Sequence, residues 1–91
     1  MENMPKELKI IINEMCSRVN ANPEEIYFKS NDWYLKHTWT IKEQDDFIKW
    51  LANFLYTNKK ARKLFDMIST SKKSCKQVAI FFALDYGWKT I

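Results

Sequence analysis

The sequence predicts an all-α domain, a compact bundle of three main helices plus one or two short ones. Three observations carry that expectation. The chain has one Gly and two Pro in 91 residues, too few turn formers for a β-sandwich. It is 46% hydrophobic and 15% aromatic, too apolar to stay disordered. Apolar residues also recur at the 3.6-residue helical period in separate stretches along the chain. Ninety-one residues suffice for one core, so residues 1–91 are read as a single domain.

Pro5 suits a first helical position, and Leu8, Ile11, Ile12, Met15 and Val19 then share one face, predicting a helix over 6–19. Cys16 sits at the edge of that face and reads as a packed, inert thiol. Asn22-Pro23-Glu24-Glu25 is a second helix start: a cap, an N1 proline, then acids where the helix dipole favours them. That helix must be short, because Ser30-Asn31-Asp32 is turn chemistry.

Trp33, Leu35, His37 and Trp39 alternate with Tyr34, Lys36 and Thr38, the period of an extended chain. Two arrangements fit: a small hairpin with Ile26–Lys29, or an extended aromatic segment over 29–39 draped across the helices. The Pro-Glu-Glu start favours the second.

Thr40–Asn58 is the stretch around which the rest is expected to assemble. Phe47, Ile48, Leu51, Phe54 and Leu55 line one face, with Lys42, Asp45, Asp46, Lys49 and Asn53 opposite. Thr40 and Glu43 have the spacing of a capping box, which predicts a helix over 41–57. Asn58 then caps a short helix over 59–68, with Ala61, Leu64, Phe65 and Ile68 at i, i+3, i+4 and i+7. Ser71 caps a last helix over 72–86. There Cys75, Val78, Phe81, Phe82 and Tyr86 form one arc, while Ile80 and Leu84 point nearly the other way. Gly87 is expected at a left-handed C′ position, followed by Trp88 folded back on the last turn. Asp85 falls on the apolar arc, so it must either reach solvent at the helix end or find a partner.

Composition narrows function mainly by exclusion. No apolar run approaches the ~18 residues of a membrane span, and the mixed-charge start MENMPKELK is not a signal peptide. Cys16 and Cys75, far apart and without a secretion signal, point to a reducing cytoplasm and no required disulfide. His37 is the only histidine, and nothing marks either cysteine as its nucleophilic partner. Glu24/Glu25 and Asp45/Asp46 read as solvated helix positions, and a single Gly excludes a Gly-rich phosphate loop. Metal-ligand spacings are missing too. The expectation is no enzyme, no cofactor and no metal.

Two features invite a binding role. The net charge of +4 comes from the last third, where eight bases stand against Asp66 and Asp85. Lys59, Lys60, Arg62, Lys63, Lys72, Lys73, Lys76 and Gln77 are therefore candidate anion or nucleic-acid contacts. Lysines in the first turns at 59–60 and 72–73 oppose the helix dipole, which stability alone would not choose. The order 59–68, Ser69-Thr70-Ser71, 72–86 also has the outline of a helix-turn-helix DNA reader. The plain alternative is a solubilising surface. Second, Trp33, Tyr34, Trp39, Ile80 and Leu84 exceed what one buried face per helix requires and are candidate protein-partner contacts. Trp33, Tyr34, His37 and Trp39 would equally serve as a stacking platform for bases or as the roof of a small core.

The run Trp33-Tyr34-Leu35-Lys36-His37-Thr38, the helix with Phe47 and Trp50-Leu51, and the closing Tyr86-Gly87-Trp88 are similar to small uncharacterised proteins encoded by bacteriophages and mobile elements. The similarity covers roughly residues 33–91 and brings no catalytic residues with it. It implies a bacterial cytoplasm and partners that are host or phage proteins, or nucleic acid; the target expected under the interaction reading is a host or defence protein. The leading expectation is thus a non-enzymatic interaction protein, the alternative an anion or nucleic-acid binder, with self-association left open and no membrane role.

Overall fold

The computed structural model describes residues 4–24 and 38–91. Among these the chain is mostly helical, as its periodicity predicts. The elements in order are α1 (Lys6–Ser17), β1 (Thr38–Trp39), α2 (Ile41–Thr57), α3 (Lys59–Leu64), α4 (Lys72–Asp85) and β2 (Lys89–Thr90).

Helix starts follow the local chemistry closely. At α2 the Thr40 hydroxyl accepts the Glu43 amide at 3.1 Å, and the Glu43 carboxylate accepts the Thr40 amide at 2.8 Å. Asn58 Oδ1 accepts the Ala61 amide at α3, and Ser71 Oγ accepts the Ser74 amide at α4. Each cap satisfies amides that the first turn leaves without a carbonyl. Pro5 stands one position earlier than expected, as the N-cap, where its carbonyl accepts the Lys9 amide.

Helix ends depart from the expected bounds. The periodic pattern runs to Val19, but α1 stops at Ser17, with Asn20 in the left-handed region (φ 57°) and the Ala21 amide donating to the Cys16 carbonyl. Helix α3 stops at Leu64 instead of running to residue 68. Asp66 turns left-handed (φ 51°), and the Met67 and Asp66 amides donate to the Arg62 and Lys63 carbonyls, the paired bonds of a Schellman motif. Asn and Asp are the non-glycine residues that tolerate this conformation best. Ending α3 there leaves Ile68 fully exposed (100%), although its spacing places it in the core.

Helices α2 and α4 form the central pair and run antiparallel. The Phe47 and Phe82 rings meet at 6.2 Å, and Lys72 at the start of α4 lies over Tyr56 at the end of α2. The buried face of α4 is Cys75, Ala79, Phe82 and Ala83, not the bulkier arc expected from the sequence. Two alanines one turn apart let the backbones of α2 and α4 approach closely, which turns this face of α4 inward. Phe81 is therefore 64% exposed and Val78 only half-buried. Tyr86 and Asp85 lie on the surface, so the Asp85 carboxyl reaches solvent.

The two ends of the 38–91 stretch meet in a short parallel pairing, Thr38 with Lys89 and Trp39 with Thr90. The Ile91 amide donates to the Trp39 carbonyl, and Gln44 Nε2 donates to Thr90 Oγ1, fastening the pair to α2. Of the extended segment expected over 29–39, only 38–39 falls among the described residues; the hairpin alternative with 26–29 lies outside them. Trp39 is not draped over the surface. It is 1% exposed, 5.6 Å from both the Phe47 and Trp88 rings. Gly87 also differs from expectation: it has no positive φ. A Cβ there would collide with the Ala83 carbonyl and come within 2.7 Å of Trp39 Cζ2, so the glycine serves close packing. Among the described residues no helix is long and apolar enough to cross a membrane.

Candidate docking groove

The antiparallel α2–α4 pair leaves a furrow of about 320 Å³ beside the buried stripe of Phe47, Leu51 and Leu55. Its floor is Ile48, Ala52 and Tyr56, which follow one another at i, i+4 and i+8 along α2. Lys49 and Asn53 stand along one edge, and Lys72 and Lys76, one turn apart on α4, along the other. The Lys72 ammonium sits 5.3 Å from the centre of the Tyr56 ring, a cation–π contact that orders both side chains at the mouth. Among the described residues no carboxylate lines the furrow. Lys49, Lys72 and Lys76 make no ion pair among the described residues, whereas the nearby Asp46 is engaged by Lys42 at 2.9 Å. That exposed contact raises the Lys42 pKa and lowers that of Asp46, in both cases chiefly through the hydrogen bond.

A second hollow of about 300 Å³ lies across α4. Phe65, Met67, Val78 and the exposed Ile68 and Phe81 give it an apolar lining, with Ser69, Ser74 and Gln77 at its polar side. Ser69, Ser71 and Ser74 are linked there by hydroxyl hydrogen bonds of 3.2 and 3.0 Å.

The candidate anion contacts divide between these surfaces. Lys72 and Lys76 share the first furrow with Lys49, which charge counting by thirds of the chain does not pick out. Gln77 lies on the opposite side of α4, in the second hollow. Lys59, Lys60, Lys63 and Lys73 are exposed and line neither. Arg62 is a structural residue, since its Nη1 donates to the Leu55 and Tyr56 carbonyls at 2.9 and 3.0 Å and so satisfies the C-terminus of α2. The helix-turn-helix outline loses its short turn, because residues 65–71 separate α3 from α4.

The candidate partner contacts divide as well. Leu84 is 63% exposed and Ile80 half-buried, so both can meet a partner at least in part. Trp39 is sealed in the core and cannot anchor an interface. Trp33 and Tyr34 lie outside the described residues, as does His37. Cys16 and Cys75 are fully buried thiols that form no disulfide. Among the described residues no group of His, Cys, Asp and Glu is gathered closely enough to hold a metal ion. No protein-family model, curated protein or solved structure matches this chain.

Proposed function

We propose that this chain is a non-enzymatic interaction protein that works in the cytoplasm by docking another protein on the two flanks of α4. The observation that carries the proposal is the apolar surface that internal packing leaves unused. Phe81 and Leu84 are each more than half exposed on α4, and Ile68 and Tyr56 stand beside the hollows on its two sides. Large side chains displayed in this way cost solubility unless something covers them. The two buried thiols, not joined in a disulfide, support a reducing compartment.

The test is affinity capture from cells expressing the tagged chain, in parallel with a Phe81→Ser/Leu84→Ser variant and with nuclease treatment. Both positions are exposed, so the variant should unfold at nearly the wild-type temperature. A protein retained by wild type and lost by the variant supports the reading. Identical recoveries, or no specific protein at all, count against it.

A second reading rests on Lys59, Lys60, Lys63, Lys72, Lys73 and Lys76, which are exposed and without ion pairs among the described residues. Here the ligand is nucleic acid held through phosphates. Binding to a labelled duplex would then fall steeply between low and moderate salt, and reversal of Lys72, Lys73 and Lys76 to Glu would abolish it.

A further inference from the structure

We infer that the α2–α4 furrow receives an acidic amphipathic helix of a partner protein. This rests on the docking reading above and assigns it one place and one kind of occupant. The floor from Ile48 to Tyr56 rises eight residues along α2, roughly 12 Å at 1.5 Å per residue. An incoming helix presents side chains at i, i+4 and i+7 over roughly 10.5 Å, so one apolar stripe of two turns matches the floor. The edges set the charge. Lys49 on one side and Lys72 and Lys76 on the other leave three ammonium groups around an apolar strip, with no carboxylate lining it among the described residues. Carboxylates flanking the apolar stripe of the incoming helix would meet them from both sides.

Lys72 also occupies the first turn of α4, where the helix dipole adds positive potential. The stacking of Lys72 on Tyr56 holds one edge in place before a partner arrives, which lowers the ordering cost of binding. Nucleic acid fits this furrow poorly. Its floor is mainly aliphatic, and Lys59, Lys60, Lys63 and Lys73 are not among its lining residues.

The experiment uses the full chain and three labelled probes followed by fluorescence anisotropy. The first is an amphipathic helical peptide with leucines at i, i+4 and i+7 flanked by glutamates. The second is the same peptide with lysines in place of the glutamates, and the third is a DNA duplex. Backbone amide shifts of the 15N-labelled chain report where each probe sits. The expected result is that the glutamate peptide binds, shifts the Ala52 and Tyr56 resonances, and outcompetes both other probes. Lys49→Glu/Lys76→Glu should weaken it at least ~10-fold at low salt. These two positions are chosen because Lys72 also contacts Tyr56. Ala52→Gln, which raises the floor on a partly exposed helical site, should weaken the peptide without changing its salt dependence.

Equal binding of the glutamate and lysine peptides overturns the assignment, as does binding that shifts only residues of the Phe81 hollow. Tighter binding of the duplex, lost on Lys49→Glu/Lys76→Glu, replaces the protein occupant with nucleic acid. If the glutamate peptide fails while cellular capture still depends on Phe81 and Leu84, the furrow is wrong and the docking reading survives. If both fail, both fall.

Discussion

Gly87→Ala is the perturbation whose outcome the structure fixes most tightly. The new methyl would collide with the Ala83 carbonyl and approach Trp39 Cζ2 to 2.7 Å. Neither neighbour has room to give. Ala83 is backbone within α4, and the Trp39 ring is wedged at 5.6 Å between Phe47 and Trp88. Overpacking of this kind costs about 1–3 kcal/mol, and a rigid backbone contact belongs at the upper end. Alanine returns about 0.4–1 kcal/mol by stiffening the unfolded chain. The expected net loss is about 2 kcal/mol, or roughly 8–16 °C in Tm for a domain of this size. Urea unfolding followed by tryptophan fluorescence reads it directly, with the m-value unchanged. Gly87→Asn sharpens the test. Were the glycine needed for a left-handed turn, Asn would be tolerated better than Ala. Because the constraint is space, Asn should cost at least as much. A Gly87→Ala protein as stable as wild type, or an Asn variant clearly more stable than the Ala one, would defeat the packing account.

Three further outcomes follow from single contacts. Ser71→Ala removes the acceptor of the Ser74 amide and should cost about 1 kcal/mol by chemical denaturation, with Ser71→Gly losing only a few tenths. Arg62→Ala strips two charge-assisted bonds from the Leu55 and Tyr56 carbonyls and should cost about 1–3 kcal/mol, while leaving peptide and duplex binding in the folded protein unchanged. The hydrogen bond from Lys42 depresses the Asp46 pKa, so its contribution to stability is present above the ordinary carboxylate range and lost as pH falls through the lower folded value. The raised Lys42 pKa works in the opposite direction: its contribution is lost only as pH climbs past the ordinary lysine range. Carboxyl NMR titration should place Asp46 below a free aspartate, and the stability difference between wild type and Asp46→Asn should shrink as pH falls below the ordinary carboxylate range and in high salt.

Much of the fold is legible in the sequence because helix starts are written in a few adjacent residues. Thr40 with Glu43, Asn58 and Ser71 all cap as their chemistry predicts, and Ile11, Ile12, Met15, Phe47, Leu51, Leu55 and Phe82 are buried as their spacing predicts. The candidate site is legible only in part. Lys72 and Lys76 stand out as cations at a helix start, but Lys49 lies on another helix and joins them only when α2 and α4 pack side by side. Arg62 groups with the lysines in one dimension because charge is visible in a sequence, whereas a hydrogen bond to a carbonyl of the preceding helix is not.

Local sequence alone specifies that the chain is helical, where each helix begins, and that positive charge gathers in the last third. Those are properties of neighbours a few residues apart. Which face of α4 turns inward is a matter of three-dimensional packing. Ala79 and Ala83 displace Phe81 from the interior because helix separation depends on the smallest side chains at the contact, and no one-dimensional count of greasy residues encodes it. The same packing draws Trp39 and Trp88 together from distant parts of the chain and sets Gly87 as the spacer against the Trp39 ring.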